Sequence, residues 1–395
     1  MSHHLALPQG FVAYTGHAGL RDAEADVAVV LSERPCAAAG MFTKSRFAGP
    51  SVALSRVSLE AERTRAFVVM AKNANVANGS RGRTDAEEVV ALVAAGCGLE
   101  PTDVAIASTG VIGRPYPMEK LRGFLGGLGV ARWGAGAGEV AAAMMTTDTV
   151  AKTAVRQVGP ARVVGMAKGV GMIEPDMATL LAFVLTDAEV ERAALEEMWR
   201  GAVDPTFNCL SIDTDTSTSD TALVLANGAA GRVDGVALSQ ALREVCLDLT
   251  LQIARDGEGA TKLITVTVSG ARDAAQARRV AKAVVNSPLV KTAVHGADPN
   301  WGRVAMAVGK CSDDTDIDPE RVRIAFGGLE VYPAVGSGEA SEGTFGEETL
   351  SALKAIMSAD HVDIEVDLGI AAAEATVYGC DLSAGYVSIN ADYTT

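Results

Sequence analysis

Short apolar runs of strand length alternate with amphipathic helical stretches along the whole chain, and this alternation confines it to an α/β layered fold. Asp26-Val-Ala-Val-Val-Leu, Ala66-Phe-Val-Val-Met and Asp103-Val-Ala-Ile-Ala are such runs, each beside polar or glycine punctuation. The stretch 273–285 starts on Asp273, a favourable N-cap, and places Ala277, Val280, Ala281 and Val284 on one helical face. Near the C-terminus Val362, Ile364, Val366 and Leu368 alternate with Asp363, Glu365 and Asp367, which predicts a strand with one buried and one solvated face. No Pro- or Ser-rich linker and no repeat of solenoid length interrupts the pattern, and the loosest stretch, 336–346, reads as a surface loop.

With 395 residues the chain can bury a sizeable core in two or three domains. Acidic residues outnumber basic ones, 49 to 34, for a formal charge of −15. That balance argues against nucleic acid, whose binding needs cations to neutralise phosphates. It mildly favours steering of a cationic substrate, although solubility is the weightier reason for it. No continuous apolar run approaches the roughly eighteen residues of a membrane span, and the N-terminus lacks the basic start and apolar core of a signal peptide. Cys36, Cys97, Cys209, Cys246, Cys311 and Cys380 are scattered with no Cys-x-x-Cys pair, as expected in a reducing cytoplasm. His3, His4, His17, His295 and His361 are too dispersed to suggest a metal site.

The chemistry concentrates around Thr179. Ala178 precedes it, a glycine-rich turn with Lys168 lies upstream, and an apolar run from Leu180 to Leu185 follows. Such a chain can cut its own backbone before Thr179 and use the freed α-amine as base for the hydroxyl. Taken alone, a threonine at a strand start is also an ordinary turn or packing residue. Ala107-Ser-Thr-Gly-Val-Ile-Gly reads either as a plain turn or as an oxyanion-binding turn, with Gly110 letting the backbone approach a ligand. Lys168 would lower the pKa of a nearby amine by like-charge repulsion, or is simply a solvated lysine. Thr146 stands in a cluster, Met145-Thr-Thr-Asp-Thr, that passes as a cap after a helix from Gly138 to Met145.

Asp256-Gly-Glu-Gly-Ala-Thr-Lys fails the phosphate-loop pattern and leaves Glu258 either an exposed functional carboxylate on a bare turn or a solvated loop residue. The run from Asp213 to Asp220 fails as a calcium loop, because Thr218 and Val224 stand where glycine and glutamate are required; a hydrogen-bonded structural loop near the site is expected. His295 is a conceivable base, but the threonine mechanism needs none and it is left out of catalysis.

The segment from Lys168 to Asp187 resembles the signature of the ornithine acetyltransferases, N-terminal-nucleophile enzymes, and the likeness runs from Phe11 to Thr395. The resemblance implies an αββα layered sandwich with a smaller C-terminal lobe. It implies self-cleavage between Ala178 and Thr179 into fragments 1–178 and 179–395 that fold as one body, and a heterotetramer with two copies of each. It assigns Thr179 as nucleophile, the Thr109 hydroxyl and Gly110 N–H as oxyanion donors, and Thr146, Lys168, Thr179, Glu258, Asn390 and Thr395 as substrate contacts. The last residues would fold back over the pocket.

The implied activity is glutamate N-acetyltransferase, an acyltransferase that moves acetyl from N2-acetylornithine to glutamate by a ping-pong route without organic cofactor or metal. The chain further resembles the branch found in clavulanic acid gene clusters. Two alternatives stay open: an amidase or aminopeptidase that uses the same site with water as acceptor, and a non-catalytic metabolite-binding relative that leaves the chain uncut.

Overall fold

The computed structural model describes residues 5–174, 180–333 and 345–391. The described residues divide into two compact units, one drawn from 1–208 and 215–253, the other from 209–214 and 254–391. In chain order the first unit carries β1 (Phe11–Gly16), β2 (Val27–Ser32), β3 (Ala37–Phe42), α1 (Pro50–Glu60), β4 (Ala66–Met70), α2 (Gly79–Cys97), β5 (Val104–Ser108) and α3 (Met118–Leu125). It continues with α4 (Ala137–Met144), β6 (Lys152–Val158), β7 (Ala161–Lys168), β8 (Leu181–Glu189), α5 (Arg192–Val203), β9 (Thr221–Arg232) and α6 (Gly235–Arg255).

Two mixed sheets form the centre of this unit, ordered β1-β2-β4-β5 and β3-β9-β8-β7-β6. Their facing sides share one core, in which Val30, Phe67 and Val69 of the first sheet meet Met166, Phe183 and Leu225 of the second. Phe67 and Phe183 stack with ring centroids 4.0 Å apart and planes 8° from parallel. The other side of the first sheet, through Val29, Val68 and Ile106, packs on Val89 and Val93 of α2 and Leu121 of α3. Against the second sheet, α6 lies so near that a Cβ on Gly165 would sit 2.5 Å from Val245. The Trp199 indole of α5 donates to the Ala222 carbonyl. The expected αββα layering is therefore what this unit adopts.

Covering both faces explains why β2 and β4 read as unbroken apolar runs: alternate residues face different cores. The edge of β5 is covered by α1, whose Ser55 hydroxyl donates to the Ile106 carbonyl (2.6 Å) and accepts from its N–H (2.7 Å).

The second, smaller unit carries β10 (Leu263–Ala271), α7 (Ala274–Val285), α8 (Pro288–His295), α9 (Trp301–Gly309), β11 (Arg323–Phe326), β12 (Leu329–Tyr332), α10 (Glu347–Met357), β13 (His361–Asp367), β14 (Ala373–Cys380) and α11 (Ala384–Ala391). Its sheet runs β12-β11-β13-β10-β14. Asp273 caps α7 by accepting the Gln276 N–H at 2.7 Å, and the predicted face of Ala277, Val280, Ala281 and Val284 is buried. β13 alternates as expected, with Val362, Ile364 and Val366 fully buried.

Asp26 and Asp103, read as strand starts, lie just outside β2 and β5. The reason at Asp26 is local: its buried carboxylate accepts the N–H groups of Ala18, Leu20 and Arg21, so it anchors a turn. The helix expected from Gly138 is α4, which starts one residue earlier. Most of the loop expected at 336–346 lies outside the described residues. So do Ala178, Thr179 and Thr395. The chain on the two sides of the expected cleavage point belongs to one sheet: β7 and β8 pair antiparallel, with Lys168 opposite Leu181. Among the described residues no helix is long and apolar enough to cross a membrane.

Candidate functional site

The parallel pairing of β4 and β5 continues beyond both strands and shapes the Ser108-Thr109-Gly110 turn. Thr109 N–H donates to the Met70 carbonyl (3.1 Å), Val111 N–H to that of Lys72 (3.3 Å), and Ala74 N–H returns to that of Val111 (3.1 Å). Gly110, between these anchored neighbours, has φ +133°, and a Cβ there would meet the Lys72 carbonyl carbon at 2.1 Å. Only glycine fits so close to another backbone. Among the described residues no acceptor takes the Gly110 N–H, whereas the N–H groups on either side are both used. Lys72, Asn75 and Ala77 take positive φ (68°, 53° and 62°) in the segment packed against the turn, a concentration of unfavourable backbone typical of a site the fold must hold in shape.

Lys168 ends β7, is 7% exposed, and its ammonium donates to Thr109 Oγ1 at 3.3 Å. A hydroxyl that accepts from an ammonium turns its own proton elsewhere, so this contact leaves Thr109 free to donate. Gly169 N–H, next along, donates to Asp148 Oδ1 at 2.8 Å, and Thr146 N–H donates to Asp148 Oδ2 at 3.0 Å. The same carboxylate accepts from the Lys152 ammonium at 2.8 Å, with both side chains fully buried. Burial pushes the Asp148 carboxyl upward, but the charges of Lys168 and Lys152 outweigh it and hold the group at about 2, below its ordinary 3.8. Lys72 closes the circuit, its ammonium donating to the Thr146 carbonyl. Burial, followed by repulsion from Arg21, holds Lys72 below the usual lysine range against the opposing pull of Asp148.

The structure thus gathers Thr109, Gly110, Thr146 and Lys168 into one connected group in the first unit. Glu258 and Asn390 meet in the second, where Asn390 Nδ2 donates to Glu258 Oε2 at 3.0 Å. Gly259 makes that meeting possible: with φ +69° its backbone lies against α11, and a Cβ there would be 2.3 Å from the Tyr386 nitrogen. The segment carrying Asn390 is therefore helical and docked.

Asp148, Lys152, Lys72 and Arg21 were not anticipated. Asp148 sits inside the Thr-Thr-Asp-Thr cluster, which local pattern equates with a cap, and nothing in the spacing marks it as the acceptor for Lys152 and a counter-charge to Lys168. The run after Asp213 is a structural loop as expected: Gly49 N–H donates to the Thr218 carbonyl, and Glu174 N–H to that of Asp215. His295 is spoken for, its Nδ1 lying 2.7 Å from the buried Asp381, which also accepts two backbone N–H groups. Among the described residues no group of three or more His, Cys, Asp or Glu side chains could hold a metal ion.

A family model described as the ArgJ family matches residues 12–395. The chain is 55% identical over 388 residues to arginine biosynthesis bifunctional protein ArgJ 2 of Nostoc sp., covering 98% of each chain. It is 54% identical over 392 residues to glutamate N-acetyltransferase Oat2 of Streptomyces clavuligerus, again covering 98% of each. A crystal structure of arginine biosynthesis bifunctional protein argJ from Bacillus halodurans matches at 40% identity and a TM-score of 0.48, covering 53% of this chain and 98% of that one.

Proposed function

We propose, because this chain belongs to the ArgJ family, that it is a glutamate N-acetyltransferase that carries acetyl from N2-acetylornithine to glutamate. The observation that carries the proposal is the match to a relative of that name over 98% of both chains.

Maturation begins with attack of the Thr179 hydroxyl on the Ala178 carbonyl. The backbone amide becomes an ester as the acyl group moves from nitrogen to oxygen, and water hydrolyses the ester to leave Thr179 as a new N-terminus. In turnover the freed amine takes the hydroxyl proton, and the oxygen attacks the acetyl carbonyl of the donor. Negative charge develops on that carbonyl oxygen, where the Thr109 hydroxyl and the Gly110 N–H stabilise it. Two features support this role: Lys168 occupies a Thr109 lone pair, which directs the hydroxyl proton outward, and Gly110 keeps an N–H that no described residue uses. Collapse expels ornithine, which takes a proton as it leaves. Glutamate then attacks the acetyl-threonine ester and departs as N-acetylglutamate.

Thr146, Lys168, Glu258, Asn390 and Thr395 are assigned to substrate with Thr179. Asp148 supports the first two by fixing the backbone at Thr146 and Gly169. Fragments 1–178 and 179–395 stay one body in this scheme, and two copies of each form the assembly. The six thiols, none in a disulfide, suit a cytoplasmic enzyme. Relatives at 55% and 54% identity are named for arginine biosynthesis and for the transfer itself, so the likeness carries the reaction to arginine biosynthesis and does not single out the clavulanic acid branch.

The test is mass-spectrometric product formation from N2-acetylornithine and glutamate, with Thr179→Ala alongside. N-acetylglutamate from the wild type alone is expected. Free acetate would identify an amidase, and a single full-length wild-type mass without turnover would remove the nucleophile.

A further inference from the structure

Arg21 is a guanidinium with work left over. Its side chain is 8% exposed, and only Nη1 is bonded, to the exposed Glu24 carboxylate (3.2 Å) and to the Ala142 carbonyl near the end of α4 (3.3 Å). Nε and Nη2 are buried and make no hydrogen bond. A cation at a helix C-terminus explains Nη1 and nothing more. Arg21 also lies near enough to Lys72 for their like charges to repel. Lys72 in turn is fixed between two residues assigned to the reaction, its backbone against Gly110 and its ammonium on the Thr146 carbonyl. Glu24 and Asp148 offset part of the two positive charges, but two desolvated donors left without an acceptor are costly unless one visits them. The planar pair Nε and Nη2 is the fork that matches a carboxylate with two parallel hydrogen bonds.

We infer that Arg21 and Lys72 form a carboxylate-binding subsite for the amino-acid substrates, resting on the transferase reading above. Donor and acceptor each carry an α-carboxylate, and glutamate alone carries a second one. The partner is thus either the α-carboxylate common to both or the side-chain carboxylate that distinguishes the acceptor.

Calorimetric titration of the mature enzyme with glutamate, glutamine and ornithine, none of which carries an acetyl group to transfer, tests this without turnover, so it is read separately from the transfer assay. In Arg21→Gln, affinity for glutamate should fall about 10- to 100-fold, the range for a lost charge-assisted hydrogen bond, and Arg21→Lys should recover part of it. Loss confined to glutamate assigns the side-chain carboxylate; equal loss for all three ligands assigns the α-carboxylate. Lys72→Met should weaken the same ligands, and it decides the matter if Arg21→Gln melts early through its lost bond to α4. Unchanged affinities in variants with wild-type Tm, or a wild type that binds none of the three, would overturn the inference.

Discussion

Lys152 and Asp148 form an ion pair at 2.8 Å with both side chains fully buried, directly beneath the backbone that presents Thr146 and Gly169. Asp148→Asn would leave the Lys152 charge buried without its counter-charge, a change that costs about 3–5 kcal/mol. The pH dependence follows in sign. A carboxyl held at about 2 in the folded state and 3.8 otherwise stabilises fully above pH 3.8, and the contribution disappears as pH falls toward 2. Urea melts across that interval should show a steeper loss for the wild type than for Asp148→Asn.

Thr109→Ala should lower kcat about a hundred- to a thousand-fold, the usual effect of removing one oxyanion donor, with KM little changed. Thr109→Ser keeps the hydroxyl and should retain most of the rate. Steady-state kinetics decide it, and full kcat in the alanine variant would sink the assignment.

On the proposed mechanism, Lys168→Met removes a cation that disfavours protonation of the Thr179 amine. That amine's pKa should rise, and the acidic limb of the kcat/KM profile should move to higher pH. A limb that stays in place would mean the lysine acts only through its bond to Thr109.

With Glu258 on the substrate as proposed, Glu258→Gln should reduce kcat/KM for transfer at least about ten-fold, since a charge-assisted contact would become a neutral one, while Tm stays near wild type. Combined with Asn390→Ala the losses should fall short of additivity, because the two side chains are bonded to each other. Unchanged kinetics would take Glu258 out of the site.

Phe183→Ala should destabilise the first unit by about 3–5 kcal/mol, because the ring is buried face to face with Phe67 where the two sheets meet. Chemical denaturation measures it directly.

The layered fold was legible because period and punctuation are local: Val362 to Asp367 alternate in the sequence and in β13 alike. Thr109 and Lys168 were each legible from their blocks, but not their contact, which joins residues 59 apart through the face-to-face packing of two sheets. Lys152 escaped notice because a lysine at a strand start normally marks solvent, and only tertiary packing shows that it is buried on Asp148. Arg21 was hidden for a similar reason: beside Asp22 and Glu24 it belongs to a charged turn, and nothing local reveals that α4 closes over it. Sequence period reports which face is apolar; it is silent on which polar group a distant element will cover.

Opposite Lys168, Leu181 is held in a ladder of six residue pairs, flanked on its other side by β9. A chain end two residues ahead of Leu181 is therefore on a leash of roughly 7 Å, whatever happens to the peptide bond before it. Severing that connection would release a terminus without releasing a molecule. The two pieces could separate only by unzipping the middle of a sheet, so dilution should never part them, while denaturant strong enough to unfold the sandwich should part them at once.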